Sequence, residues 1–288
     1  MDVSLIVCTL GRRGALVRLL DSLAGLAERV REIIVVDQNE PGFLEPLLAQ
    51  YTNDLHIVHL RSARGASRAR NVGLRQAGGT IIGIPDDDCW YDANILPLVC
   101  SSFRENANLA LLAGRTVDRT GRDSVIPSLP TSGDINRANA FHTGTSSAIF
   151  VRRAAAIQIG GFDETLGVGA STPYQSGEET DFILRCLAHG HQCYFSRDLR
   201  VFHDQVDESA EQRLRRASAY SVGFGRVLRK HQYGLPFLSA QLTRASLRGA
   251  LCVAQGDLDG ALERYRWARG CISGYAAPLN LRLVGQSP

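Results

Sequence analysis

The chain has 288 residues, 44% of them hydrophobic and 21% charged, enough for one large buried core with a smaller appendage and unlike a disordered chain. Seven cysteines, odd in number, widely spaced and without a CxxC pair, argue against a disulfide framework or a structural zinc site and for a reducing compartment. A net charge of +3, no basic-then-apolar leader at Met1-Asp2-Val3-Ser4-Leu5 and no apolar run of about 18 to 20 residues lead to the expectation of a cytoplasmic protein without a nucleic-acid partner.

In chain order, Val3 to Cys8 reads as a buried strand followed by a loop from Thr9 to Arg13. Leu16, Leu19, Leu20, Leu23 and Leu26 recur at helical spacing. Glu32 to Asp37 is a second strand, then a turn and a helix over Phe43 to Gln50. Leu55 to Leu60 is a third strand, Ala66 to Ala77 a helix, Thr80 to Ile84 a fourth strand and Ala93 to Asn106 a helix. Strand and helix alternating in this way predict a parallel sheet, an α/β nucleotide-binding half over residues 1–117.

Residues 118–143 lose the period and read as a long loop or short irregular strands within an acceptor half, 118–208. Thr145 to Val151 reads as a strand, Arg153 to Ile159 as a helix, and Gly160 to Gly177 as a glycine-rich loop. Glu179 to His189 reads as a helix, with short strands at Cys193 to Phe195 and Leu199 to His203. Residues 209–288 form a helical extension with two or three helices over 209–271. The extension holds twelve basic residues against four acids, a balance of +8, which leaves residues 1–208 at −5. An acidic, metal-binding body with a basic tail that meets anionic lipid or phosphate fits this asymmetry, and a solvated helical face or a homo-oligomer contact is the plainer reading.

The chemistry concentrates at Pro85-Asp86-Asp87-Asp88-Cys89-Trp90, directly after the fourth strand, where ligands gather in open α/β sheets. If strand geometry continues, Asp86 and Asp88 share one side and Asp87 faces the other. Two carboxylates in one small volume call for a cation, and hard oxygen ligands favour Mn2+ or Mg2+; an acidic, solvated turn is the alternative. Asp37 closes a strand where such an acid accepts hydrogen bonds from a ribose or a base, or else forms an Asx turn with Asn39. Arg61, Arg64, Arg68, Arg70 and Arg75 surround a helix start near Gly65, a setting for a diphosphate or simply a solvated basic face. Glu178 and Glu179 open a helix, where the dipole already favours acids, yet Glu179 also suits a general base. His203 suits metal ligation or a structural hydrogen bond, and Trp90 suits a sugar face or the core.

Taken together and in order, these residues resemble the family 2 glycosyltransferases of the GT-A fold. The resemblance runs through Ser4 to Thr9, Ile34 to Asp37, Gly65 with Ala69 to Leu74, Pro85 to Asp88, Gly144 to Ser147, Gly160 to Glu164, Gly177 to Phe182 and Val201 to His203. It implies a mixed GT-A sheet flanked by helices and a nucleoside-diphosphate-sugar donor, with Thr9 and Asp37 at the nucleoside and Arg70 near the diphosphate. It further implies a divalent metal on Asp86, Asp88 and His203, with Asp87 and Trp90 beside the donor and the Phe162-Asp163 turn on the acceptor side. Glu178-Glu179 stands where the family usually has Glu-Asp, so the base is a Glu. Asp37-Gln38-Asn39-Glu40 replaces the usual Asp-Asp-Gly-Ser, which leaves the nucleobase open.

The expected activity is therefore inverting, metal-dependent transfer of a sugar to a hydroxyl of a glycan or a lipid-linked glycan acceptor, in polysaccharide assembly at the inner membrane face. A sugar-phosphate nucleotidyltransferase and a degenerate, purely binding transferase are the rivals. The first calls for a glycine- and lysine-rich phosphate loop, which Thr9 to Gly14 match poorly.

Overall fold

Apolar, β-branched runs in the first third pair side by side, and the acids that end them collect at one edge. The computed structural model describes residues 2–143, 145–205 and 207–278. Gly144, the first residue of the Gly144 to Ser147 motif, and residues 279–288 of the basic extension lie outside the described residues. The chain divides into two compact units, residues 1–164 with 178–206 and residues 165–177 with 207–288.

The first unit opens with β1 (Val3–Thr9), α1 (Arg13–Ala24), β2 (Val30–Asp37), α2 (Glu45–Leu48), β3 (Ile57–Arg61), α3 (Ala66–Gln76) and β4 (Ile81–Gly83). It continues with β5 (Cys89–Trp90), α4 (Ile95–Glu105), β6 (Leu109–Val117), β7 (Gly133–Asp134), β8 (Ile149–Arg152), α5 (Arg153–Gln158), α6 (Glu178–Ala188) and β9 (Gln192–His203). Among the described residues, all nine strands join one mixed sheet in the order β3-β2-β1-β4-β8-β6-β9-β5, with β7 paired to β9. Strands β3, β2, β1 and β4 are parallel, as right-handed crossovers through helices require. Strand β8 then runs antiparallel to β4 and β6. The parallel set ends on Asp37 and Arg61 in β2 and β3, and Thr9 in β1 pairs with Asp37.

The core lies where the sequence period places it. Leu16, Leu19, Leu20 and Leu23 of α1 are fully buried, each worth roughly 1.5 to 3 kcal/mol relative to exposure. Phe103 of α4 and Phe150 of β8 join the same cluster. On α3, a Cβ at Gly73 would stand 2.4 Å from Ile6 Cγ2, so glycine is what lets this helix lie against β1.

Three expectations are corrected by the geometry. Strand β4 ends at Gly83, so Asp86 to Asp88 do not continue it; Asp86 makes only an isolated bridge to Cys8. The segment from Ser146 to Ala148 is a 3-10 turn and β8 starts at Ile149 rather than Thr145. The two short strands expected near 193 and 199 are one strand, β9, with a register irregularity against β6.

The second unit contains α7 (Ala210–Lys230), α8 (Leu235–Ala254) and α9 (Leu258–Ala276), three helices where two or three were expected. Ser209 and Gln212 form a reciprocal capping box at the start of α7. Small residues bring α7 and α9 close together: a Cβ at Gly225 would sit 2.1 Å from Cys271 O and one at Gly274 would sit 2.0 Å from Val222 O. The Arg226 guanidinium lies 4.9 Å from the Tyr174 ring centroid, which fastens the 165–177 loop to α7. Among the described residues no helix is long and apolar enough to cross a membrane.

Candidate active site

The predicted residues occupy three neighbouring clusters along the carboxyl ends of the parallel strands. The first centres on Arg70, which α3 carries beneath the acids with only 5% of its surface exposed. Its Nη1 donates to Glu178 Oε1 at 3.0 Å and its Nη2 to Ser146 Oγ at 2.8 Å. The same Nη2 lies 3.5 Å from Asp86 Oδ1 and 4.0 Å from Glu179 Oε1, and Ser146 Oγ donates to Asp86 Oδ1 at 3.0 Å. Four side chains from distant segments thus share one buried guanidinium.

The two helix-opening glutamates have different surroundings. Glu178 is buried, and burial together with the charge of Glu179 pushes its carboxyl well above the usual range despite Arg70. Glu179 leaves 23% of its side chain open. A proton acceptor for an outside hydroxyl must be reachable, and Glu179 is the reachable one.

The second cluster holds the remaining acids. Pairing of Cys89 with His203 across β5 and β9 brings Asp88 to the imidazole, whose Nε2 stands 3.3 Å from Asp88 Oδ1. His203 Nδ1 faces the Asp204 carbonyl at 2.6 Å, which sets the ring orientation and favours Nδ1–H as donor. Arg12, from the turn ahead of α1, places Nη1 on Asp88 Oδ2 and 3.2 Å from Asp87 Oδ1. The expected partition of Asp86 and Asp88 against Asp87 is therefore replaced: Asp86 turns to Arg70, while Asp87 and Asp88 share Arg12. The physical reason is the end of β4 before these residues, which removes strand alternation.

Burial pushes Asp87 up to about 6 even though Arg12 opposes it. Asp88 would rise through burial as well, but the His203 hydrogen bond and the charges of His203 and Arg12 hold it below the usual carboxylate range. Burial also raises Asp86, an effect moderated by the 37% of its side chain that stays open. In return, His203 is raised chiefly by its bond to Asp88. Carboxylate oxygens and an imidazole nitrogen are a donor set suited to Mn2+ or Mg2+, and like-charged acids with raised pKa values are the electrostatic environment a cation relieves.

The third cluster surrounds Asp37, fully buried at the end of β2. Its Oδ1 accepts from the Asn39 backbone and side chain at 2.8 and 2.7 Å, the Asx turn, while Oδ2 faces His59 Nε2 at 3.1 Å and Arg61 Nη1 at 3.4 Å. Asp37, Glu45 and His59 bring one ligand atom each within 4.8 Å of one another, the group of three such residues that gathers most closely among those described, rather than Asp86, Asp88 and His203. Trp90 stacks on Phe202 at 5.6 Å, with the Arg18 and Arg119 guanidinium groups 4.2 and 5.3 Å from its ring centroid.

Arg12, His59 and Arg18 are site residues that sequence reasoning missed, and none carries a motif of its own; Ser146 lies within the Gly144 to Ser147 motif, but its contact with Arg70 and Asp86 is visible only in the fold. The five arginines near α3 do not converge. Arg61 pairs with Asp37 and Glu45, Arg68 with Glu164, and Arg70 is buried in the acid cluster. The Phe162 turn is held by Asn71, which donates to Phe162 O at 2.9 Å and accepts from Phe162 N at 2.8 Å.

The family model for glycosyl transferase family 2 matches residues 4–164, more than half of the chain and all four strands of the parallel run β3-β2-β1-β4. The chain belongs to glycosyl transferase family 2. A pre-mycofactocin glycosyltransferase of Mycobacterium tuberculosis is 27% identical over 215 residues, covering 70% of this chain and 43% of the relative. An uncharacterized glycosyltransferase of Bacillus subtilis, YwdF, is 32% identical over 93 residues, 32% of this chain and 34% of its own. This family 2 chain thus spans less than half the length of these curated relatives.

Solved structures show the same GT-A fold. The mannosyltransferase PcManGT of Pyrobaculum calidifontis, in complex with GDP-Man and Mn2+, matches with a TM-score of 0.64 and 17% identity, over 94% of this chain and 86% of that one. Residues 1–349 of TarS from S. aureus, in complex with UDP, match with a TM-score of 0.59 and 17% identity, over 96% of this chain and 90% of that one. The α/β mixed sheet flanked by helices, with helices at the C-terminal end, is the expected family 2 architecture.

Proposed function

We propose that this family 2 glycosyltransferase moves a sugar from a nucleoside-diphosphate sugar to an acceptor hydroxyl with inversion, using a divalent metal ion. The observation that carries the reading is the Arg70 cluster, which ties Asp86 to the Glu178-Glu179 pair and leaves Glu179 reachable. The ligands of the structural neighbours, UDP in one and GDP-Man with Mn2+ in the other, support a nucleotide sugar here.

Asp86, Asp88 and His203 would hold the ion, and Asp87 completes the acidic wall beside it. A bound Mn2+ or Mg2+ supplies neutralising charge at the departing diphosphate. Thr9 and Asp37 line the nucleoside end, where the Asx turn with Asn39 orients the Asp37 carboxylate. Glu179 takes the proton from the acceptor hydroxyl as that oxygen attacks the anomeric carbon from the face opposite the diphosphate. Glu178, committed to Arg70, positions its neighbour. Arg70 supports the acids from below, and Trp90 braces the wall through Phe202 and Arg18.

The acceptor is a hydroxyl of a glycan or a lipid-linked glycan, and the protein works in the cytoplasm at the inner face of the membrane. In support, α7 carries Arg213, Arg215, Arg216, Arg229 and Lys230, whereas Arg226 on the same helix is buried. Helix α9 exposes Leu258, Leu262, Tyr265 and Ile272 at spacings of four, three and seven, beside Arg266 and Arg269. Each basic residue near an anionic bilayer contributes roughly 1 kcal/mol, an attraction that salt weakens. Sedimentation with anionic and neutral vesicles at low salt checks this, and equal binding to both rejects it; a homodimer seen by ultracentrifugation instead assigns the ridge to a second copy.

The donor is found by a thermal-shift screen of UDP, GDP and dTDP sugars with Mn2+, because a ligand of the native state raises its stability. Donor hydrolysis by wild type that is lost in Asp88→Ala supports the assignment. Release of pyrophosphate from a nucleoside triphosphate and a sugar phosphate would replace it with nucleotidyl transfer.

A further inference from the structure

Arg12 occupies a position that an ordinary surface arginine has no reason to hold. It stands between Gly11, at a φ of 75° with no atom within 4 Å of a built Cβ, and Arg13, the first residue of α1. Its own side chain is 56% exposed, yet it reaches acids that are far less so, Asp87 at 7% and Asp88 at 25%. The contact is one guanidinium nitrogen shared by two carboxylates, Asp87 Oδ1 at 3.2 Å and Asp88 Oδ2. Asp88 Oδ1 is already engaged by His203. Both oxygens of Asp88 are therefore occupied by the protein's own cationic or proton-donating groups.

A divalent ion on Asp88 and the Arg12 guanidinium cannot share that carboxylate comfortably, since two cations at contact distance repel and each weakens the other's hold. The three neighbouring acids need a counter-charge at all times, whereas the ion comes and goes with the donor. An arginine anchored in a turn at the mouth of the site, with most of its side chain in solvent, can supply that charge and withdraw. Once withdrawn, its planar fork suits the two phosphate groups of a nucleoside diphosphate.

We propose that Arg12 is an exchangeable counter-ion: it neutralises Asp87 and Asp88 in the donor-free protein, yields Asp88 to the divalent ion, and then pairs with the donor diphosphate. This rests on Asp88 being a metal ligand. No covalent bond is made or broken; the Arg12 contacts to Asp87 and Asp88 are exchanged for a contact of Asp88 to the ion and one of Arg12 to the diphosphate.

The test measures Mn2+ binding to the nucleotide-free protein by electron paramagnetic resonance, and UDP and GDP binding at saturating Mn2+ by calorimetry, for wild type, Arg12→Gln, Arg12→Lys and Asp88→Asn. Arg12→Gln is expected to bind Mn2+ roughly three- to tenfold more tightly and its preferred nucleotide roughly three- to tenfold more weakly, the range of a partly exposed charge-assisted pair. Arg12→Lys, which keeps the charge but not the planar fork, stays near wild type in Mn2+ binding and loses part of the nucleotide affinity. Opposite signs distinguish an exchange from a structural role, which would weaken both. Unchanged or weaker Mn2+ binding in Arg12→Gln overturns the counter-ion role, and unchanged nucleotide binding overturns the hand-over. If Asp88→Asn binds Mn2+ like wild type, the metal-ligand reading itself fails; if it loses Mn2+ while Arg12→Gln gains nothing, only the role of Arg12 is rejected.

Discussion

Arg70 of α3 and Glu178 of α6 meet at 3.0 Å, buried, although 108 residues separate them in the chain. This pair connects the helix behind the parallel strands to the helix that carries the candidate base. It also explains why an arginine near a helix start faces inward: three acids and a serine hydroxyl compensate its desolvation.

Removing one side of such a pair leaves the other as an uncompensated buried charge. Arg70→Met is expected to lower stability by roughly 3 to 5 kcal/mol in urea denaturation. Arg70→Met with Glu178→Met should recover a substantial part of that loss, because the stranded carboxylate is gone. A double variant as unstable as the single would show that Glu178 is not the principal partner.

Exposure separates the two glutamates. Glu179→Gln should reduce transfer by roughly 10² to 10⁴-fold while leaving nucleotide binding with Mn2+ close to wild type. Glu178→Gln should act mainly through lost stability and misplacement, with a smaller effect on turnover. Wild-type turnover in Glu179→Gln rejects the base assignment, and steady-state kinetics beside a nucleotide titration decides.

The acid wall predicts a pH dependence with a definite sign. His203 has a folded pKa raised above its unfolded value of about 6.5, so its contact with Asp88 contributes stability fully present below that pH and lost as pH rises through the folded value. Asp87, raised to about 6 by burial, disfavours the fold progressively as it ionises between its unfolded value of about 3.9 and that pH. Asp88, held low, stays ionised throughout. The metal-free melting temperature should therefore fall between about pH 5.5 and 8, and His203→Gln should flatten the fall. The rise on adding Mn2+, which needs a neutral imidazole and ionised carboxylates, should be larger at the higher pH. Calorimetry that finds stability increasing over this window contradicts the assignment.

Helix α3 can be tested without touching the site. Gly73→Ala places a methyl 2.4 Å from Ile6 Cγ2, so overpacking should cost roughly 1 to 3 kcal/mol despite the better helix propensity of alanine. An exposed control on the same helix, Gln76→Ala, should be nearly neutral. A stabilised Gly73→Ala protein would mean that α3 does not lie against β1 as closely as described.

Much of this protein is legible in its sequence because it depends on local periodicity. The buried β-branched runs at Val3 and Glu32, the leucine spacing from Leu16 and the acids at the strand ends place the parallel half and its ligand edge before any coordinate is known. The ordered motifs from Ser4 to His203 carry the family resemblance. What periodicity does not contain is the partner of each charge. The pairing of Cys89 with His203 joins Asp88 to its imidazole only once β5 and β9 align. Arg70 was expected near a diphosphate, and its partners Asp86 and Glu178 emerge only in the fold. Arg12, one of 31 arginines, has nothing in its neighbourhood to mark it. Hydrophobic patterning is a property of consecutive residues, whereas a charge cluster is a property of chain crossings, and only the folded sheet decides which crossings bring Arg12, Asp87 and Asp88 together.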